Sequence, residues 1–214
     1  MTWSAQDVRW MTRALELAAR GRFTTWPNPM VGCVVVQDDN LLAEGWHRKH
    51  GEGHAEVNAL AQLDPELDLS QATAYVTLEP CSHTGKTPPC ADLLVSRGVG
   101  RVVVATTDPN PVVAGRGLAR LQDAGATCEV GCLEQEAQKL NAPFVHCMTS
   151  GTPWITLKWA QSADGFMDGR TSPALGAGGW AITGAASRRW THALRARHDA
   201  LLVGMRTWLV DNPS

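Results

Sequence analysis

Apolar residues recur at two spacings along the chain, and these spacings predict an alternation of helices and strands. Ser4 and Asp7 stand where a helix cap and a first-turn acid belong, and Val8, Met11 and Leu15 then fall on one helical face. Short β-branched runs between turn residues predict strands. The later predicted helices are Ala55–Leu63, Cys90–Arg97, Gly117–Ala124, Glu134–Leu140 and Ser187–Arg197, and the predicted strands are Val31–Val36, Leu41–Trp46, Ala72–Leu78, Arg101–Thr106, Thr127–Val130, Trp154–Ala160 and Ala200–Val203.

This alternation predicts an α/β fold in which helices cover both faces of a mostly parallel sheet. Residues 38–40 have turn chemistry and predict a hairpin, while the prolines of residues 27–29 stiffen an extended loop. The small residues 149–153 mark a boundary between two domains, 1–150 and 151–214. The second segment amounts to about one βαβ unit, which is too little to bury a core alone.

Composition narrows the class of protein. The 214 residues are 44% hydrophobic and 19% charged, which is too apolar for an intrinsically disordered chain. The net charge of −2 argues against a nucleic-acid-binding protein that relies on bulk positive charge. A small anionic ligand held by a few local cations is still allowed. No run approaches the roughly 18 apolar residues of a membrane span, and the chain opens without a signal-peptide core, so we expect a cytoplasmic protein.

In a reducing compartment the 6 cysteines do not predict a disulfide framework. We interpret Cys33, Cys128, Cys132 and Cys147 as structural residues. The remaining two stand in a more informative pattern. His54 and Glu56 are followed by Pro80-Cys81 and then by Cys90 at the start of a predicted helix.

One imidazole and two thiolates from His54, Cys81 and Cys90 suit zinc, and three protein ligands leave a fourth position for water. Zinc lowers the pKa of such a water to about 7. Glu56, two residues from His54, can then take the proton of the water and pass it to a leaving nitrogen. His-x-Glu followed by Pro-Cys-x-x-Cys is the general pattern of zinc-dependent base deaminases.

The second cysteine departs from that pattern, because it follows the first by nine positions instead of three. The longer loop places His83, Lys86 and Thr87 at the mouth of the predicted site. The alternatives are a solvated helix pair with packing cysteines, or a structural zinc site. A structural site would need a fourth ligand, and no further Cys or His stands at ligand spacing.

Four motifs together resemble the deaminase half of the bifunctional riboflavin-biosynthesis deaminase/reductase family, in which the long inter-cysteine loop also occurs. They are residues 27–32, 54–56, 77–90 and 108–111. The resemblance implies a cytidine-deaminase-like three-layer α/β/α sandwich. It also implies hydrolytic removal of the 2-amino group from 2,5-diamino-6-(5-phosphoribosylamino)pyrimidin-4(3H)-one.

The same resemblance assigns roles to matched residues. His54, Cys81 and Cys90 would hold zinc, and Glu56 would shuttle protons. Asn28, His47 and His83 correspond to residues that contact the substrate or line its pocket, and Lys86, with Thr87 beside it, corresponds to the cation that meets the phosphate. Alone, Asn28 would be read as a turn residue and Lys86 as a solvated lysine. The family also suggests a homo-oligomer.

Residues 151–214 resemble the opening of the family's NADPH-dependent reductase domain, which is dihydrofolate-reductase-like. The loop before Ile182 is longer than usual, and the chain ends at Ser214, before the remaining strands and the phosphate-binding loop. We therefore expect deaminase activity without reductase activity, and NADPH binding only in a complete domain. The corresponding reductase positions are Lys158, Ala160, Trp180, Arg195, Thr207 and Asp211.

Two other functions stay open at the level of sequence. One is a zinc deaminase acting on a free base, a nucleoside or tRNA adenosine, which the weakly acidic charge and Lys86 disfavour. The other is a catalytically silent binding module, which Glu56 disfavours because such a module needs no proton shuttle. We expect a small phosphorylated pyrimidine as substrate, and neither nucleic acid nor a membrane as partner.

Overall fold

The computed structural model describes residues 2–83, 88–110, 114–165, 167 and 182–211. The chain forms two compact units, which divide between Trp154 and Ile155. The first unit is built on a five-stranded sheet. No described helix is long and apolar enough to cross a membrane.

The sheet of the first unit has the strand order β2-β1-β3-β4-β5. β1 runs antiparallel to both of its neighbours, while β3, β4 and β5 are mutually parallel. The predicted hairpin is confirmed, with its turn at Asp38 and Asp39, both of which have positive φ. The sheet is mixed instead of mostly parallel, because β1 also pairs antiparallel with β3. The strands are β1 (Gly32–Gln37), β2 (Asn40–Trp46), β3 (Thr73–Val76), β4 (Arg101–Val104) and β5 (Thr127–Val130).

The α-helices among the described residues of the first unit are α1 (Ala5–Ala18), α2 (Ala55–Leu60), α3 (Cys90–Ser96), α4 (Arg116–Asp123), α5 (Glu134–Leu140) and α6 (Ala142–Ser150). Alternate strand residues point to opposite faces of the sheet. Val34 and Tyr75 lie in the apolar cluster that includes residues of α1 and α5. Val35 and Val76 lie in the cluster that includes residues of α2, α3 and α4. This is the three-layer α/β/α sandwich expected from the sequence.

The start of α1 confirms the predicted cap and adds a buried carboxylate, that of Asp7. Ser4 and Asp7 form a capping box, in which each side chain bonds the backbone N–H of the other residue. The Asp7 carboxylate also accepts hydrogen bonds from Arg101 (2.8 Å) and from the Tyr75 hydroxyl (2.9 Å). Asp7 therefore joins the first helix to β3 and β4.

Gly45 allows α2 to lie unusually close to the sheet. A Cβ atom at this position would lie 2.5 Å from the backbone nitrogen of Ala59 and 2.6 Å from the carbonyl oxygen of Ala55. Only glycine avoids this overlap. The close approach fixes the height of α2 above β2, and with it the position of His54, which immediately precedes the helix.

The second unit contains α7 (Ala185–Arg195) and α8 (Met205–Asp211). The predicted strands Trp154–Ala160 and Ala200–Val203 are not strands among the described residues. A β-branched, apolar run shows that a segment can pair, but a strand forms only where a neighbouring strand completes its hydrogen bonds. Leu157 is 79% exposed and Leu202 fully exposed in this unit.

Candidate metal centre and substrate cavity

Three elements of the first unit converge on one point. His54 is the N-terminal flanking residue of α2, Cys81 follows the end of β3, and Cys90 is the first residue of α3. Their ligand atoms all lie within 4.8 Å of one another. Residues that are 36 positions apart in sequence are thus gathered into a group that could hold a metal ion.

The imidazole of His54 faces both sulfur atoms. Its Nδ1 lies 3.6 Å from Cys81 Sγ and 3.3 Å from Cys90 Sγ. The backbone N–H of Cys90 donates to Cys81 Sγ at 3.3 Å. The Cys81 carbonyl in turn accepts from Ala91 N–H at 3.1 Å, so the first turn of α3 holds the Cys81 loop in place.

These contacts split the acidities of the two thiols. The Cys90 thiol and the His54 imidazole, both hydrogen-bonded to Cys81, lower the pKa of Cys81 despite its burial. The same contact with Cys81, together with burial, raises the pKa of Cys90. Hydrogen bonding to Cys81 raises the pKa of His54. These contacts favour the thiolate form of Cys81, which is the form of cysteine that binds metals.

Glu56 lies beside this group in the first turn of α2. Its side chain is buried, with 3% of its surface exposed. Burial raises the pKa of Glu56 to about 7, because removing the carboxylate from water penalises its charged form. A carboxyl group with this pKa can both accept and donate a proton near neutral pH.

A second buried carboxylate, Glu79, organises the loops around the site. Its oxygens accept backbone hydrogen bonds from Asp108 (3.2 Å), Gly115 (2.9 Å), Gly117 (2.9 Å) and Leu118 (3.4 Å). The segment before Cys81 is thereby tied to the start of α4 and to the loop after β4. Glu79 is buried, and no role was predicted for it from the sequence.

The metal-ligating group opens into a cavity of ≈ 240 Å³. Polar and apolar residues both line it, which suits a small heterocyclic ligand. The lining residues are Asn28, Pro29, Val31, His47, His54, Glu56, Leu78, Glu79, Cys81, His83, Asp108, Asn110, Phe144 and Met148.

Asn28 and His47 form a fixed polar pair in this cavity. His47 Nδ1 lies 3.1 Å from the Gly53 carbonyl, so this nitrogen carries the proton and donates. His47 Nε2 then accepts from Asn28 Nδ2 at 3.1 Å. Burial lowers the pKa of His47, which favours the neutral ring that this arrangement needs. The Asn28 carbonyl oxygen is the remaining acceptor of the amide, and it is available to a ligand's N–H group.

The structure brings most of the predicted deaminase residues together. Asn28, His47, His83 and Glu56 line the same cavity as His54 and Cys81. Cys90 completes the metal-ligating group. Lys86 and Thr87 lie outside the described residues.

The predicted reductase positions fall in the second unit. Lys158, Arg195 and Thr207 are exposed and Ala160 is half-buried. Asp211 is the last residue of α8, and Trp180 lies outside the described residues. Their assignment as reductase positions stays a prediction.

Several lining residues were missed as site residues. Asp108 and Asn110 belong to a motif that carried the family resemblance, so the motif could have identified them. Phe144 and Met148 lie on α6, a helix that was not predicted, and no local pattern connects them to the site. Their four-residue spacing places both on one face of that helix.

Comparisons with known proteins agree with this geometry. Residues 4–106 match the family model of the cytidine and deoxycytidylate deaminase zinc-binding region. Residues 153–214 match the model of the RibD C-terminal domain. The fold and the matched regions define the class: a domain of the cytidine deaminase type with the zinc-binding region of that family, followed by a segment similar to the RibD C-terminal domain.

The riboflavin biosynthesis protein RibD of Escherichia coli K12 is 51% identical over 98% of this chain, which covers 55% of that protein. The crystal structure of Acinetobacter baumannii RibD superimposes with a TM-score of 0.87 at 48% identity, covering 97% of this chain and 56% of that one. The Thermotoga maritima diaminohydroxyphosphoribosylaminopyrimidine deaminase/5-amino-6-(5-phosphoribosylamino)uracil reductase gives a TM-score of 0.86 at 41% identity, covering 97% of this chain and 58% of that one. The chain belongs to the RibD family of riboflavin biosynthesis proteins, and it spans about half the length of these relatives.

Proposed function

We propose that this chain removes the 2-amino group of 2,5-diamino-6-(5-phosphoribosylamino)pyrimidin-4(3H)-one by zinc-dependent hydrolysis. The observation that carries the proposal is the group of His54, Cys81 and Cys90, whose ligand atoms lie within 4.8 Å of one another. Glu56 lines the cavity next to it. Membership of the RibD family supports the choice of substrate.

The donor set fits zinc. One imidazole nitrogen and two thiolate sulfurs are ligands that zinc prefers, and three ligands are the number found in catalytic zinc sites. We assign all three to the metal in this chain. When bound, zinc supplies Lewis acidity that makes water acidic enough to yield a nucleophile near neutral pH.

Glu56 moves protons in the proposed reaction. Water adds its oxygen to C2 of the pyrimidine, the C2–N bond breaks, and ammonia leaves. The carboxylate of Glu56 accepts a proton from the attacking water, and the protonated carboxyl delivers it to the departing nitrogen. A pKa of about 7 suits both steps, since the group must change its protonation state twice in each turnover.

Recognition of the ring falls to Asn28 and His47, and the His47 imidazole lies edge-to-face with that of His54, with 5.4 Å between ring centroids. Asn28 uses its Nδ2 group to donate to His47 Nε2, so its carbonyl oxygen is the atom that accepts a hydrogen bond from the ring of the substrate. The neutral His47 ring keeps this arrangement without adding a charge. We assign Asn28 to the ring of the substrate and His83 to the pocket wall, and we assign Lys86, with Thr87 beside it, to the phosphate.

The second segment and the assembly complete the proposal. We infer a deaminase domain in residues 1–150 and the first part of a reductase domain in residues 151–214, with NADPH as the reductase cofactor of the family. A cytoplasmic location and a homo-oligomeric state are further predictions from the resemblance. Size measurement in solution tests the second of these.

An ammonia-release assay tests the substrate. We expect release from the diaminopyrimidine phosphate and much slower release from the same compound without its phosphate. Cytidine, deoxycytidine monophosphate and a tRNA adenosine substrate serve as comparisons in the same assay. Faster release from any of these three would contradict the proposal in favour of another deaminase specificity.

A further inference from the structure

The backbone of Met30 is held by the side chain of Asn141, which lies 111 positions later in the sequence. The Asn141 amide accepts from Met30 N–H at 2.8 Å and donates to the Met30 carbonyl at 2.8 Å. In an antiparallel sheet, a residue of a neighbouring strand would make the same two bonds, one to the N–H and one to the carbonyl of its paired residue. β1 begins only at Gly32, so a side chain replaces the missing strand at Met30.

Asn141 is well placed to fix this segment. It is buried, with 5% of its surface exposed, and it lies at the junction between α5 and α6. An amide in this environment needs partners, since an unpaired buried polar group costs stability. The two bonds to Met30 satisfy both an oxygen and a nitrogen of the side chain.

The two segments that Asn141 joins both line the cavity. The loop before Met30 contributes Asn28 and Pro29, and α6, which starts directly after Asn141, contributes Phe144 and Met148. The backbone N–H of Asn28 donates to the Thr25 carbonyl at 2.8 Å, which anchors the other end of the loop.

The reacting end of the cavity is built differently. His54 and Glu56 belong to the start of α2, and Cys81 and Cys90 are held by β3 and α3. Among the described residues, the Asn141 side chain bonds the two backbone groups of Met30, while its backbone groups bond Ala137 and Val145 within the helices. A change at Asn141 therefore reaches the cavity through the segment of Met30 and Asn28, and Asn28 in turn bonds His47.

We propose that Asn141 is a positioning residue for substrate recognition, which holds the Asn28 loop against the apolar wall formed by Phe144 and Met148. This inference rests on the proposed function. Its action through Asn28 predicts a weaker grip on the substrate with little change in the chemical step.

Asn141→Ala tests this directly. We expect KM for the diaminopyrimidine phosphate to rise about tenfold or more, with kcat within about threefold of wild type and an unchanged zinc content. If the alanine variant fails to fold, Asn141→Asp takes its place. It keeps the shape of the side chain and an acceptor for Met30 N–H, and KM should shift in the same direction. Tyr75→Phe is the control, because it removes a buried hydrogen bond to Asp7 from a residue that does not line the cavity.

Two further measurements separate positioning from a general loss of stability. Amide exchange at Met30 should accelerate in Asn141→Ala and stay protected in Tyr75→Phe. The double variant Asn28→Ala/Asn141→Ala should have the KM of Asn28→Ala alone, because the two residues act through one contact.

The outcomes are distinguishable from those of the proposed function. Wild-type protein that releases no ammonia from the diaminopyrimidine phosphate contradicts the function, whatever the variants do. An active wild type with an unchanged KM in Asn141→Ala, additive effects in the double variant, or unaltered exchange at Met30 overturns the role of Asn141.

Discussion

The surroundings of single side chains determine the pKa values of the buried carboxyl groups. Glu56 and Asp7 are both buried carboxyl groups, yet their pKa values move in opposite directions. Burial dominates at Glu56 and raises its pKa to about 7. At Asp7 burial also acts upward, but hydrogen bonds from Arg101, Ser4 and Tyr75 outweigh it and hold the pKa at about 2.

Asp7 makes folding stability dependent on acid. The folded-state pKa of about 2 lies below the roughly 3.9 of an unfolded chain, so the stabilisation is complete above about pH 5 and is lost as the pH falls through 2. Asp7→Asn should lower the free energy of unfolding by about 2–3 kcal/mol at pH 7. Urea unfolding measured from pH 7 to pH 2.5 should show the two proteins converging below about pH 4.

The matched control for this prediction is Asp92→Asn. Asp92 pairs with Arg120 at 2.9 Å, but both side chains are nearly half exposed, so the loss should be under about 1 kcal/mol. Equal losses for the two variants, or a difference for Asp7→Asn that does not shrink in acid, would contradict the account of Asp7.

At this scale the sequence predicts local chemistry and misses remote pairing. Ser4 and Asp7 could be predicted as a helix start because the residues of a helix cap lie within four positions of one another in sequence. The bond from Asp7 to Arg101 spans 94 residues and that from Asn141 to Met30 spans 111, and no spacing rule reports contacts of that length. The group of His54, Cys81 and Cys90 could be predicted as a candidate metal site because residue type, and not distance in sequence, specifies that chemistry.

Among the elements, α4 controls the segment that leads into Cys81. Gly117 lies in its first turn, and a Cβ atom there would lie 1.9 Å from the carbonyl oxygen of Pro80. Its N–H donates to Glu79 at 2.9 Å. Helix and loop are therefore packed backbone to backbone beside a predicted metal ligand.

Gly117→Ala should displace this loop. We expect a loss of about 1–3 kcal/mol of stability, as for other overpacked sites, together with less than full zinc occupancy by metal analysis. Gly125→Ala, just beyond the other end of α4, is the control: its φ of +92° strains an alanine, but no atom lies within 4 Å of the added methyl group. Full zinc occupancy in Gly117→Ala would show that the contact does not position Cys81.

Elements with a strong pattern were predicted to within a few residues, and weak or non-local ones were not. Thr127–Val130 and Glu134–Leu140 have the expected bounds. The helix α6 was not predicted, and its last two residues fall within the small residues 149–153 that mark the predicted boundary. The hairpin was predicted from residues 38–40, but its antiparallel pairing on both sides of β1 required the whole sheet.

For the whole molecule, a bound zinc ion would add a further link between elements that hydrogen bonds and packing already hold together. His54, Cys81 and Cys90 link the starts of α2 and α3 to the end of β3. A ligand that binds only the folded state stabilises it. Removing zinc should therefore lower the thermal unfolding midpoint, by about 5 °C or more, and abolish activity.

Thermal unfolding with a chelator, followed by zinc addition, checks this expectation. Zinc should restore the midpoint and magnesium should not, because the donor set is one nitrogen and two sulfurs. The double variant Cys81→Ser/Cys90→Ser controls for direct effects of the chelator, and its midpoint should not respond. An unchanged wild-type midpoint after verified zinc removal would mean that the site contributes nothing to stability.

The most direct test of the central claim compares wild type with Glu56→Gln. Both proteins are assayed for zinc and for ammonia release from the diaminopyrimidine phosphate in the same preparation. We predict one zinc per chain in both, and a rate that falls about 10²–10⁴-fold in the variant, because the ligands are intact and proton transfer is lost. A variant that retains zinc and deaminates at the wild-type rate would contradict the account.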